Sequence, residues 1–270
     1  MLVGLIRRRL DPWLARPDPS APQLHSVEDL NLPGADGPLA ARLYRSSAEA
    51  ADLLVFLHGG GLVSSGLATH DAACRRLAEG SGFAVLAVDY RRAPEARYPA
   101  AHDDAEAALA WAATSGALRF VPRRLLAGGD SAGGLLAATV ALRRARAGRP
   151  LDGLALFYPL LALDPTPDDP PLFRISRAWM RRLYVGDGPA DPRDLTLLNP
   201  ETAELPPTFI ASGGRDPTRL DAKRLCRRLP EVAHHLEPRA THGFLNLAGV
   251  SDRAREQTER SVAALRAAFA

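Results

Sequence analysis

The stretch Arg124-Leu125-Leu126-Ala127-Gly128-Gly129-Asp130-Ser131-Ala132-Gly133-Gly134 decides how this chain is read. Arg124–Ala127 is short and mostly apolar, as a buried strand is, and Gly133–Ala147 reads as a helix that stops at Gly148. Between them Gly129-Asp130-Ser131-Ala132-Gly133 fits G-x-S-x-G. A side chain exposed at a sharp strand-to-helix turn needs a strained backbone, and the residues two places away must be small to avoid collision. The helix N-terminus behind Ser131 supplies N–H groups and partial positive charge where an oxyanion would develop. A serine at a glycine-rich helix start is also a good cap, but the strand–turn–helix context is the one a nucleophile requires.

Working outward, apolar runs alternate with helical patterns. Leu53–Leu57, Phe83–Asp89, Leu154–Tyr158, Thr208–Ala211 and a segment near Ala233–Leu236 read as further strands. Helical stretches surround Cys74–Glu79, fill Pro99–Trp111 and close the chain at Ser251–Phe269. Such alternation implies an α/β fold, with a mostly parallel central sheet flanked by helices on both faces and reactive loops at the carboxyl ends of its strands. No repeat, linker or shift in composition divides the 270 residues, so a single domain spanning 1–270 is expected. The proline-dense Asp164–Pro171 reads as a loop.

Composition narrows the partners. The net charge is +3, from 34 basic and 31 acidic residues, and Lys223 is the only lysine. The basic clusters at Arg7–Arg9 and around Arg227–Arg228 are short and lack interleaved aromatics, so nucleic-acid binding is not supported. Cys74 and Cys226 stand alone in helical segments and read as buried thiols, neither a disulfide framework nor a metal site. Leu2–Ile6 is too short for a secretory segment, and no run reaches the ~18–20 apolar residues of a membrane span. A cytoplasmic protein without metal or cofactor is expected.

Three further motifs each follow a strand. His58-Gly59-Gly60-Gly61 comes directly after Leu53–Leu57, where consecutive glycines let N–H groups point at a substrate carbonyl. It lacks both dinucleotide spacing and a P-loop lysine. Asp216, in Gly213-Gly214-Arg215-Asp216-Pro217, follows Thr208–Ala211, and His242, in Thr241-His242-Gly243-Phe244, precedes the last helix. The order Ser131, Asp216, His242 is that of α/β-hydrolase triads. Asp216 before Pro217 also suits a helix N-cap. Asp187, Asp191, Asp194 and Asp221 are rival acids with no strand in front of them, and His234 and His235 are rival bases within or beside a predicted strand.

From about Leu53 to His242 the chain resembles the hormone-sensitive-lipase-like (family IV) esterases of the α/β-hydrolase superfamily. The likeness is carried by His58–Gly61, Asp89–Glu95, Tyr98-Pro99-Ala100-Ala101 with Asp103-Asp104, Gly129–Gly134, Leu205-Pro206-Pro207, Asp216-Pro217 and His242-Gly243-Phe244. It implies a catalytic Ser131, Asp216 and His242, an oxyanion hole from the N–H groups of Gly60, Gly61 and Ala132, and His58, Tyr90 and Glu95 shaping the walls of the site. It also implies a reduced N-terminal cap, about residues 1–35. Within this cap Leu2, Leu5, Ile6, Leu10 and Trp13 share a helical face that suits either a cap or core packing. Family members are commonly longer, and many carry an acid four residues after the catalytic aspartate, where this chain has Leu220.

The function expected is hydrolysis of small or short-chain carboxylic esters through a covalent acyl-enzyme, with activity falling as His242 protonates at acidic pH. Amide or N-acetyl hydrolysis, or acyl transfer to another alcohol, would use the same three residues. A small-molecule receptor on this fold is a more distant alternative, and a peptidase more distant still. The final helix could contribute to a homodimer.

Overall fold

Strand β3 (Asp52–Leu57) has every residue buried, as a strand covered on both faces must. Its side chains alternate: Leu53, Val55 and Leu57 join one apolar layer, while Leu54 and Phe56 join the other. Burying a Leu, Val or Phe side chain contributes roughly 1.5–3 kcal/mol, so the central strands anchor the whole molecule. The computed structural model describes residues 2–197, 204–229 and 231–270.

Around β3 lie β1 (Ser26–Gly34), β2 (Gly37–Arg45), β4 (Ala84–Val88), β5 (Arg124–Asp130), β6 (Gly153–Phe157), β7 (Thr208–Gly213) and β8 (Val232–Glu237). They form one sheet in the order β1-β2-β4-β3-β5-β6-β7-β8, in which only β2 runs against the rest. The mostly parallel sheet expected from the alternation is therefore present. The β1–β2 hairpin was not foreseen. It folds around Ala35-Asp36 with Gly34 paired to Gly37, and β1 is polar and half-exposed.

The helices are α1 (Leu2–Leu14), α2 (Leu67–Ser81), α3 (Ala100–Thr114), α4 (Ala132–Arg146), α5 (Pro171–Tyr184), α6 (Pro192–Leu195), α7 (Arg219–Cys226) and α8 (Asp252–Ala268). Helices α2 and α8 pack one face of the sheet through Cys74, Leu77, Val262 and Leu265. Helices α3, α4 and α7 pack the other through Ala105, Leu109, Leu136, Val140 and Leu225. Cys74 is buried as expected, whereas Cys226, at the end of α7, is only half-buried.

The prolines of Asp164–Pro171 do form a loop, but it ends by launching α5, with Pro171 in the first turn. The N-terminal segment divides in two. Helix α1 leaves the sheet uncovered and lies over the strand ends, whereas Ser26–Gly34 is part of the sheet itself. Met1 lies outside the described residues. Among the described residues no helix is long and apolar enough to cross a membrane.

Candidate active site

The loops that carry Gly60 and Gly61, Ser131, Asp216 and His242 emerge at the carboxyl edge of the sheet, where loops after parallel strands converge. Register brings β3 and β5 together at Leu57 and Gly129, and Asp130 against Phe157 of β6. Ser131 follows at φ 52°, ψ −121°, a region that L-residues avoid. Such strain costs of order 1–3 kcal/mol and persists only where neighbours enforce it. Here the Ser131 N–H donates to Phe157 O at 3.0 Å, and its carbonyl accepts from Leu160 N at 2.9 Å and Gly134 N at 3.0 Å. A Cβ on Gly129 or Gly133 would run into the carbonyl oxygen of Leu57, which explains the small residues on either side of the serine.

Ser131 Oγ stands 2.8 Å from His242 Nε2, and His242 Nδ1 stands 2.8 Å from Asp216 Oδ2. The structure thus brings together side chains 85 and 26 residues apart along the chain. Asp216 is buried, and its second oxygen accepts from both the N–H and the hydroxyl of Thr218, each at 2.8 Å. These bonds fix the carboxylate and leave Oδ2 for the imidazole. Helix α7 begins only at Arg219, so Asp216 holds a turn ahead of the helix and is not its N-cap. His242 is partly exposed; the Tyr158 ring meets it edge-on at 5.1 Å, and the buried Phe244 packs against the same tyrosine at 4.9 Å. Both aromatics hold the loop that carries the imidazole.

Opposite this chain of contacts lies the glycine loop after β3. Gly60 and Gly61 take positive φ, 109° and 66°, a conformation glycine adopts freely. Among the described residues, the N–H groups of Gly60, Gly61 and Ala132 have no partner within the protein. These are the three donors named from the sequence. Around the turn, Gly60 O accepts from Val63 N, Ser64 N and Ser64 Oγ at 3.0–3.2 Å.

Beneath the loop is a buried polar cluster. Gly59 N–H donates to Asp130 Oδ1 at 2.7 Å, and Tyr90 Oη donates to His58 O at 2.6 Å while its ring stacks on His58 at 4.2 Å. His70 Nε2 stands 3.2 Å from Asp130 and 2.8 Å from the Asn246 amide nitrogen. Burial alone would push the Asp130 carboxyl up, but His70 and the Gly59 N–H hold it below the usual range. Burial, with His70 adding to it, pushes His58 down to about 3, so His58 is neutral. His58 and Tyr90 therefore support the loop from below and do not form cavity wall, and the exposed Glu95 pairs with Arg7. His70 and Asn246 carried no sequence signal: a histidine inside an ordinary helix and an asparagine in a loop have no spacing that announces a partner.

The rivals are committed elsewhere. His234 meets Ser212 Oγ at 2.7 Å and His235 pairs with Glu237 at 2.9 Å within the sheet. Asp191 accepts from Arg193 N, Asp194 pairs with Arg143, and Asp221 pairs with the buried Arg177 at 2.7 Å. Asp187 is exposed between α5 and α6.

Above Ser131 and His242 opens a cavity of about 560 Å³. Its walls come from Ile6, Leu10 and Trp13 of α1 and from Phe173, Trp179 and Met180 of α5. Helix α1 is held in place by Arg7, which donates to Val63 O and Ala93 O at 2.7 Å and pairs with Glu95 at 2.8 Å. Most of the helical face that the sequence left open between cap and core thus borders the cavity. The α5 wall was missed.

A family profile for the alpha/beta hydrolase fold matches residues 54–246. The carboxylic ester hydrolase LipN of Mycobacterium tuberculosis is 38% identical, over 91% of this chain and 72% of its own length. The esterase LipI of the same organism is 38% identical over 98% and 88%. Among solved structures, an esterase of Pyrobaculum calidifontis superposes with a TM-score of 0.82 at 30% identity, covering 99% of this chain and 93% of that one.

Proposed function

The chain belongs to the hormone-sensitive-lipase-like family of α/β-hydrolase-fold carboxylic ester hydrolases, and from that premise we propose that Ser131 is its nucleophile, His242 its general base and Asp216 the acid that orients the base. The observation that carries the assignment is the unbroken line Ser131 Oγ–His242 Nε2 and His242 Nδ1–Asp216 Oδ2, each contact 2.8 Å.

Asp216 accepts a hydrogen bond from the Nδ1–H, so the Nε2 lone pair faces the serine. His242 takes the hydroxyl proton as Oγ bonds to the ester carbonyl carbon. The carbonyl oxygen becomes an oxyanion held by the N–H groups of Gly60, Gly61 and Ala132; one such donor is typically worth ~3–4 kcal/mol in the transition state. The imidazolium returns its proton to the leaving alcohol as the C–O bond breaks, and the acyl group remains on Ser131. Water, deprotonated by His242, then releases the acid and restores the serine.

The substrates are carboxylic esters, and we read the preferred ones as small or short-chain. A cavity of about 560 Å³ walled by Trp13, Phe173, Trp179 and Met180 suits an apolar acyl or alcohol group of modest size. The reading treats residues 1–270 as one domain, with the segment ahead of β1 acting as a short cap together with α5. It extends to a cytoplasmic enzyme without nucleic-acid partners, and to a homodimer in which α8 takes part. A series of p-nitrophenyl esters from acetate to palmitate, run alongside matched amides, tests the substrate class. The highest kcat/KM is expected at short acyl lengths, with amides far slower. A maximum at long chains, or amides turned over as fast as esters, would contradict it.

A further inference from the structure

The two helices that wall the cavity also turn large apolar side chains away from it. Leu2 and Leu5 of α1 are 54% and 50% exposed, and Leu172 and Ile175 of α5 are 82% and 66% exposed. Even leaving out Leu10, which borders the cavity, four of the eight exposed large hydrophobics among the described residues fall on these two helices. Scattered surface leucines need no explanation; a concentration beside the mouth of a site does.

Helical geometry shows that the placement is systematic. At about 100° per residue, Val3, Arg7 and Asp11 share the side of α1 that meets the body. Arg7 reaches Val63 O and Ala93 O, and Asp11 accepts from Ser65 N at 3.2 Å. Leu2, Leu5, Arg8 and Arg9 are left on the outward side, all four exposed. On α5 the buried Arg177, Met180 and Tyr184 mark the inward side. Leu172, Ile175, Arg174 and Arg182 face outward, again all exposed.

The charge on these faces has one sign. Helix α5 contains four arginines and no acid, and the one acid of α1, Asp11, is turned inward. Arg8, Arg9, Arg174 and Arg182 have no carboxylate partner among the described residues, although the whole chain is nearly balanced at +3. Leucine beside unpaired arginine on an outward helix face is the pattern of an element that lies in a bilayer interface. There the apolar side chains enter the acyl boundary and the guanidinium groups fork onto headgroup phosphates.

We propose that the outward faces of α1 and α5 form a docking lip that seats the mouth of the cavity on an anionic lipid surface. Leu2, Leu5, Leu172 and Ile175 insert, and Arg8, Arg9, Arg174 and Arg182 bind phosphate. The cavity then opens toward the membrane, where sparingly soluble esters concentrate. The proposal does not depend on which residue attacks the ester.

Flotation with vesicles of phosphatidylcholine, with or without phosphatidylglycerol, tests it on the intact chain. Binding is expected to the phosphatidylglycerol vesicles, weakening as salt rises from about 0.1 to about 1 M. Replacing Leu5, Leu172 and Ile175 together by Ser, or all four arginines by Gln, is each expected to lower partitioning about tenfold or more. Turnover of a soluble short ester should stay unchanged in both variants, because none of these side chains lines the cavity. Failure to bind phosphatidylglycerol vesicles, or binding that neither variant weakens, would overturn the proposal. So would self-association that the leucine and isoleucine substitutions abolish without any vesicle binding, since it would assign the face to a second copy of the chain.

Discussion

The N–H of Gly59 donates to the carboxylate of Asp130 at 2.7 Å, so the residue just before the proposed nucleophile grips the loop that carries the facing N–H donors. Both halves of the site are thereby held by one buried anion, itself steadied by His70 at 3.2 Å. Asp130→Ala removes the grip and leaves Gly59 N–H unpaired. We expect kcat for a short ester to fall about 10- to 100-fold with little change in KM, less than the ~10²–10³ seen when an oxyanion donor itself is lost. Asp130→Asn keeps an acceptor for Gly59 and should recover part of the loss. Steady-state kinetics on both variants, with KM separated from kcat, checks this.

Much of this site could be read from the chain because each piece announces itself locally. Ser131, Gly60, Gly61 and Asp216 sit one to four residues beyond strands that are mostly apolar, and His242 lies between the last strand and the last helix. Elements that depend on distant partners were not legible. Strand β1, SVEDLNLPG, carries Glu, Asp, Asn and Pro, and becomes a strand only because β2 pairs with all nine of its residues. Helix α5 looks like a solvated, arginine-rich stretch, yet Arg177 is fully buried, as deeply as Tyr184. Its partners, Asp169 and Asp221, are 8 and 44 residues away.

That buried Arg177 leads to a second prediction. Its guanidinium meets Asp169 at 3.0 Å and Asp221 at 2.7 Å, and donates to Ala162 O, tying α5 to α7 just beyond Asp216. Burial pushes the Asp221 carboxyl up, against the pull of Arg177. Arg177→Met would strand two buried carboxylates, and removing one partner of such a group typically costs 3–5 kcal/mol. Urea unfolding at neutral pH should show a loss of about that size. The gap from the parent protein should narrow on acidification, because the Asp221 carboxyl, pushed up by burial, binds its proton in the folded state.

Two buried imidazoles contribute to the loss of stability in acid. Burial pushes His58 down to about 3 and His102 down to about 4, so both stay neutral in the folded protein where they would be charged in the unfolded chain. The unfolded chain then binds more protons below pH ~6.5, and stability falls as pH drops from there toward about 4 and 3. Each group contributes at most about 1.4 kcal/mol per pH unit. His102 lies 2.7 Å from Tyr184 Oη and 3.1 Å from Thr139 Oγ1, contacts that glutamine can partly replace. Thermal melts of His102→Gln between about pH 7 and 4 should show a shallower decline than the parent protein. An unchanged slope would count against a neutral, buried His102.

The account rests most directly on the hydroxyl of Ser131, and turnover of p-nitrophenyl acetate by the Ser131→Ala variant tests it. We predict a fall of about 10⁴-fold or more, with the variant still folded and melting near the parent temperature. A folded variant that retained turnover within about tenfold of the parent would contradict the assignment of Ser131 as the residue that carries the acyl group.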